Sequence, residues 1–314
     1  MNHEITQIPI VFAFDNNLIA PACVCLSSLL ENALPSTYYD IFILHSHETL
    51  HDKSLLNKVQ ECYHNCKISY IIVGDEFNDA FEIRGITKAT YYRLLIPRLI
   101  PQYDKIIYAD VDIIFRMDLS DLYQNDIDDV YVAATYDLGM LLTEAGQKHI
   151  NELGLCRDQY MQAGLLLLNS AKIRKDNIDK QFFSLYKNNY KYQDQDILNV
   201  TCSKSHLRLP MKYNMTDYSF IFLREKNAYF NNIPDNEIEE ALSVGNLHFN
   251  GHKPWIKYSL NFDIWWEYYR RSPIFDQDYY IDFYYNRLNI LDQLSLWKRI
   301  KVLLRYFVYG KRKI

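Results

Sequence analysis

The chain has no window approaching the roughly 18 uncharged apolar residues that a membrane-spanning helix requires. Its first apolar run, residues 8–14, lacks a basic start and is stopped by Asp15, so no secretory leader is expected. A surplus of positive charge is missing too. The 34 Lys and Arg face 39 Asp and Glu, and a net charge of −5 argues against a nucleic-acid partner. The six cysteines (Cys23, Cys25, Cys62, Cys66, Cys156 and Cys202) have no zinc-ribbon spacing and are expected to be buried, reduced thiols. Glycosylation sequons at Asn199 and Asn214 carry no weight without a leader. There is no internal repeat and no low-complexity linker before residue 260. Together these absences predict a cytoplasmic chain.

What is present is a chain of 314 residues, enough for one large α/β domain with an appendage or for two modest domains. Hydrophobic residues make up 49% and can fill a sizeable core; aromatics make up 15%, with 27 tyrosines, a residue type that suits sugar and lipid-interface surfaces. Strand and helix patterns alternate. Residues 8–14, 39–45, 67–73, 106–109 and 130–136 read as strands, and residues 20–32, 50–63, 87–95 and 143–153 as helices, with Pro21 tolerated in a first turn and Pro97 interrupting the third helix. This order predicts a mostly parallel, doubly wound sheet.

One motif stands out in that frame. In Lys105-Ile-Ile-Tyr-Ala-Asp110-Val-Asp112 two carboxylates follow a short β-branched and aromatic run that reads as a buried strand. The carboxyl edge of an open α/β sheet is where ligands bind, and paired carboxylates there suit Mg²⁺ or Mn²⁺, the ions that carry diphosphates into protein sites. The spacing is common: Asp126/Asp128, Asp194/Asp196 and Asp276/Asp278 repeat it. The second pair reads as a solvated loop and the fourth lacks an apolar run, so strand context singles out the first.

Three further constellations occupy the second half. Met161-Gln-Ala-Gly-Leu165 places small residues before a buried strand, either as a tight strand entry or to let a ligand approach the backbone. Tyr192-Gln-Asp194-Gln195-Asp196 opens a helix pattern, where carboxylates commonly serve as caps. His248-Phe-Asn-Gly251-His-Lys253-Pro-Trp255 combines a potential metal ligand, a flexible glycine and a cation that can meet a diphosphate.

Taken in order with Val11-Phe-Ala-Phe-Asp15-Asn-Asn17 and Thr90-Tyr-Tyr-Arg93-Leu, these segments resemble glycosyltransferase family 8, in particular its bacterial lipooligosaccharide galactosyltransferases, over residues 8–258. The resemblance implies a GT-A fold, one Rossmann-like domain, and retaining transfer of galactose or glucose from a UDP-sugar to a saccharide or glycolipid acceptor. Asp110, Asp112 and His248 would hold Mn²⁺ (or Mg²⁺). Ala13, Asp15 and Asn17 would receive uracil and ribose. Val111, Gln162, Gly251 and Lys253 would also contact the nucleotide-sugar, with Gly251 and Lys253 closing over the diphosphate. Arg93, Ala163, Gly164, Asp194 and Gln195 would line the donor sugar, the last two as catalytic residues, and Asp137 and Thr216 would meet the acceptor. Gln162 stands where the family pattern has asparagine, Phe14 and Asn16 replace smaller or acidic residues, and the Gly251–Lys253 segment is one residue short of the galactosyltransferases.

The tail is a separate signal. Residues 298–314 contain seven Lys or Arg and no acid, interleaved with Ile300, Val302, Leu303, Leu304, Tyr306, Phe307 and Val308 and preceded by Trp297. A helix there pairs an apolar face with a basic one, suited either to an anionic lipid surface or to packing on the domain with a solvated basic edge. The expected organisation is thus a catalytic domain over residues 1–260 and a helical, basic region over 261–314, peripheral on the inner face of the plasma membrane. Two other functional classes remain compatible with an Asp-x-Asp strand end: a metal-dependent phosphohydrolase and a non-catalytic sugar-nucleotide binding protein.

Overall fold

The computed structural model describes residues 5–46, 52–82, 87–156, 159–225 and 233–309. The apolar runs become strands, those at the centre of the main sheet buried on both faces. The strands are β1 (Thr6–Ala13), β2 (Thr37–His45), β3 (Cys66–Ile72), β4 (Lys105–Ala109), β5 (Ile113–Ile114), β6 (Val132–Tyr136), β7 (Met161–Asn169), β8 (His206–Arg208), β9 (Met215–Thr216) and β10 (Leu247–His248). Seven form the main sheet in the order β3-β2-β1-β4-β7-β6-β8, and β5-β10-β9 form a small second sheet.

Side-chain alternation sends Ile8, Ile10 and Phe12 of β1 to one face, with Ile41, Ile107 and Leu165, and Val11 to the other, with Leu44, Tyr108 and Leu166. Each face has its own core, as expected of strands flanked by helices. β1, β2, β3 and β4 are parallel, but β7 runs antiparallel to both β4 and β6. The mostly parallel sheet expected from the sequence is therefore mixed at its centre. A fully buried run such as β7 carries no polar alternation from which its direction could be read.

Elsewhere the expected helices form with shifted ends: Ile19–Glu31, with Pro21 in its first turn, Ser54–Cys62, and Glu144–Glu152, which is capped by Thr143. The stretch read as a helix over 87–95 is a 3₁₀ helix, Lys88–Leu95, and Pro97 lies in the first turn of the short α-helix that follows rather than interrupting one. All six cysteines are free, but Cys62 and Cys156 are exposed, so the expectation of burial holds for the other four. Part of the helix expected over 50–63 lies outside the described residues.

The chain divides into two units, Met1–Ile274 and Phe275–Ile314. In the first unit, helix Phe262–Arg271 buries Trp265, Trp266, Tyr268 and Tyr269, and Tyr268 accepts a hydrogen bond from Asn32. The second unit holds helices Gln277–Asp292 and Leu296–Tyr309. In the latter Leu296, Trp297, Leu303, Leu304 and Phe307 are exposed, as are Lys298, Arg299 and Lys301. Among the described residues no helix is long and apolar enough to cross a membrane.

Candidate active site

β1 and β4 are parallel neighbours, so both end on one edge of the sheet. The turn that leaves β4 carries Asp110, Val111 and Asp112. Val111 packs into the core, and the two carboxylates on either side of it turn outward together. The small sheet brings the third group. β10 pairs with β5 so that His248 lies opposite Ile113, one residue after Asp112. One ligand atom from each of Asp110, Asp112 and His248 falls within 4.8 Å of the others, and His248 Nε2 is 3.2 Å from Asp112 Oδ1 and 3.8 Å from Asp110 Oδ2.

A hydrogen-bond relay fixes how the histidine presents itself. The Gly164 N–H donates to Gln162 Oε1 (2.6 Å), and the Asn214 side-chain amide donates to the same oxygen. This leaves Asn214 Oδ1 as an acceptor, 2.9 Å from His248 Nδ1, so Nδ1 carries the proton and Nε2 faces the carboxylates. Asp112 Oδ1 is buried and accepts no hydrogen bond among the described residues. A lone pair on nitrogen and a carboxylate oxygen at 3.2 Å repel unless positive charge stands between them. One nitrogen and two carboxylates suit Mn²⁺ and are compatible with Mg²⁺, so the residues present fit a divalent cation. Space matters as well, since a Cβ at Gly164 would lie 2.2 Å from His248 Cε1. The glycine leaves room for the His248 side chain, and it sits inside β7 rather than before it.

Arg93 is the second organiser. It is buried on the 3₁₀ helix, with its guanidinium 2.9 Å from Asp110 Oδ1 and Nε 2.8 Å from Asp194 Oδ2, and it also donates to the Ala163 carbonyl. Burial opposes its charge, but Asp110 and Asp194 more than compensate and hold its pKa above the ordinary arginine value. The Tyr108 ring lies under the guanidinium at 4.2 Å, and its hydroxyl donates to Asp110 Oδ1 (2.7 Å). Burial pushes the Asp194 carboxyl up to about 6 despite Arg93 and the Thr90 hydroxyl, which donates at 2.6 Å. The Asp112 carboxyl goes the other way. Burial raises it, but the Lys253 ammonium beside it outweighs burial and leaves it well below the usual carboxylate range.

Lys253 pairs with Asp112 and donates to the Phe249 carbonyl (2.7 Å), so in this structure it belongs to the carboxylate corner. Gly251 is exposed beside Asp217. Gln195 bridges two elements. Its carbonyl accepts from Ala163 N (3.0 Å) and its amide donates to Asp137 Oδ2 (3.1 Å). Asp137 caps helix Leu138–Leu142, and burial raises its pKa. Ala13, Asp15 and Asn17 lie at the end of β1, where Asp15 accepts from Asn17 N (2.9 Å). Thr216 pairs with His248 across the small sheet but is buried, and its hydroxyl is taken up by Ser219.

Asp194 and Asp196 open helix Gln193–Cys202, and both are buried. Asp196 is fully buried, with His149 Nε2 at 2.9 Å, the Tyr160 hydroxyl and the Tyr192 N–H all on its carboxylate. Sequence reasoning missed Asn214, Thr90 and the Tyr108 hydroxyl. Asn214 was visible only as a sequon, and nothing in the pattern marked it as buried. As expected, Asp126 and Asp128 are exposed.

Residues 9–258 match the model of glycosyl transferase family 8. This chain belongs to that family. A relative from Haemophilus influenzae is 29% identical over 223 residues, covering 69% of this chain and 66% of its own length. The lipopolysaccharide 1,2-glucosyltransferase of Escherichia coli is 25% identical over 256 residues, 78% of this chain and 72% of that protein. In fold, this family 8 chain is similar to the galactosyltransferase LgtC solved with donor and acceptor sugar analogs (TM-score 0.70, 24% identity, 87% of this chain and 99% of that one). It is also similar to the bifunctional WbbM protein (TM-score 0.69, 22% identity), of which it covers 51%.

Proposed function

We propose that this family 8 chain is a hexosyltransferase that moves galactose or glucose, with retention at the anomeric carbon, from a UDP-sugar to a saccharide hydroxyl during cell-surface glycan assembly. The observation that carries the reading is the corner of Asp110, Asp112 and His248, where a carboxylate oxygen without a donor faces a histidine nitrogen whose other nitrogen is already committed. A divalent cation bound there supplies Lewis-acid stabilisation of the departing diphosphate.

The remaining roles belong to the chain's own residues. Ala13, Asp15 and Asn17 hold the nucleoside at the end of β1. Lys253 and Gly251 close on the diphosphate, and the lysine gives the growing negative charge a cationic partner. Arg93, Ala163, Gly164, Gln162 and Asp194 orient the donor sugar. Gln195 sits where a nucleophile would be, yet an amide is a poor one, which favours attack of the acceptor hydroxyl on the same face as the leaving group, its proton passing to a phosphate oxygen. Asp137 receives the acceptor, with Thr216 behind it. Helix Leu296–Tyr309, with exposed Trp297 and Phe307 beside Lys298, Arg299 and Lys301, tethers the enzyme to an anionic membrane that presents a glycolipid acceptor. The name of the E. coli relative supports this setting.

The phosphohydrolase reading loses support because the Asp-x-Asp pair follows the fourth strand of a family 8 chain, not the first strand of its domain. The test is UDP release, followed by mass spectrometry, from UDP-galactose and UDP-glucose with Mn²⁺. Turnover is expected to stop in EDTA and return with added metal. Full activity in excess chelator would remove the metal from the reading, and a protein that binds UDP but never turns over a sugar would be a non-catalytic binder.

A further inference from the structure

Beside the carboxylate corner, helix Asp217–Glu225 turns an aromatic pair outward. Tyr218 is 52% exposed, and its ring lies nearly parallel to that of Phe222 one turn along, with centroids 5.9 Å apart and planes 19° from each other. Ile221 beside them is exposed as well. An exposed aromatic stack costs hydrophobic stabilisation unless something covers it.

Its position says what could. A Cβ built on Gly139 would lie 2.9 Å from Tyr218 Cδ2 and 3.2 Å from Asp137 Oδ1, so the tyrosine ring and the Asp137 carboxylate flank one point. That same carboxylate accepts from Gln195. On the other side, Thr216, two residues before Tyr218, pairs with His248. The ring thus shares a point with the carboxylate that holds Gln195, on the helix that follows the strand paired with His248. Pyranose rings present a face of C–H groups to which the negative face of an aromatic ring is complementary, while their hydroxyls need carboxylates or amides at the edge. Tyr218 and Asp137 offer that combination.

We propose that Tyr218, backed by Phe222, is the platform on which a pyranose ring of the acceptor stacks, with Asp137 receiving one of its hydroxyls. The proposal rests on the glycosyl-transfer reading given above. It goes further in naming the side chain that holds the acceptor sugar and the C–H face by which that sugar is held.

Saturation-transfer NMR with methyl glucoside, methyl galactoside and lactose, in the presence of UDP and Mn²⁺, tests it without requiring turnover. The wild type is expected to give signals on the C–H protons of at least one saccharide. Tyr218→Ala should weaken that binding about tenfold, the scale of an aromatic contact, and Tyr218→Trp should keep it. UDP affinity of the alanine variant should match the wild type. Unchanged saccharide signals in Tyr218→Ala, no saccharide signal in the wild type, or loss of UDP affinity along with saccharide binding would each overturn the platform, the last by making Tyr218 a structural support. Failure of the transferase reading looks different: no UDP-hexose would release UDP with the wild type.

Discussion

The chain carries the same Asp-x-Asp spacing where a strand ends and where a helix begins, and the two places put it to different use. In the turn after β4, Val111 packs inward and the carboxylates of Asp110 and Asp112 converge with His248, leaving Asp112 Oδ1 without a donor. In helix Gln193–Cys202 each residue advances about 100°, so positions two apart face different directions. Asp194 reaches Arg93 and Thr90, whereas Asp196 reaches His149 and Tyr160. In the first pair both carboxylates face the same histidine; in the second they part to separate partners. Backbone geometry, more than spacing, decides whether two carboxylates form a binding site.

The largest effect that separates the two pairs should come from alanine substitutions at their second members. Asp112→Ala is expected to lower UDP release by about 10³-fold, several kcal/mol of lost charge stabilisation, with little change in melting temperature. Asp196→Ala should do the reverse. It leaves His149 and Tyr160 buried without their acceptor and should cost about 3–5 kcal/mol of stability, read in a thermal melt. Equal destabilisation by both variants would erase the distinction.

A middle-sized effect belongs to the relay behind His248. Asn214→Ala removes the acceptor that keeps the proton on Nδ1, and Mn²⁺ affinity measured by electron paramagnetic resonance titration should fall about 10- to 100-fold. An unchanged affinity would mean that the histidine orients itself without the relay.

The smallest effect is a pH slope. Burial lifts the Asp194 carboxyl to about 6, above its unfolded value, so the folded chain holds this proton more tightly. The stability linked to it is present at low pH and is lost as pH rises from about 4 through 6, by at most about 1.4 kcal/mol per pH unit. Melts of Asp194→Asn across this window should show a shallower decline than the wild type. A steeper one would reverse the sign assigned to burial.

Much of this architecture was legible beforehand. The apolar runs of β1, β2 and β4 and the amphipathic helix after β1 follow from periodicity, and Asp110, Asp112 and His248 were singled out by strand context and by resemblance to the family. What escaped the sequence was set by long-range packing. The reversed direction of β7 depends on its neighbours, and the burial of Asp196 depends on His149, 47 positions away. Asn214, in a short loop before β9, has no local pattern that announces its contact with His248. Thr216 and Lys253 likewise meet partners, Ser219 and Asp112, that no local pattern announces.

Gly164 connects both halves of the metal corner through its main chain alone. Its carbonyl accepts from the Asp110 N–H (2.8 Å), and its N–H begins the relay that runs through Gln162 and Asn214 to His248. A residue with no side chain thus ties one ligand by its oxygen and the other by its nitrogen. Its amide resonance becomes a natural reporter: a change of charge at His248 Nε2 would be transmitted along three hydrogen bonds to a proton inside the sheet. That makes the occupancy of the corner readable by heteronuclear NMR from a single backbone signal, with no label on the ligand and no substrate in the tube.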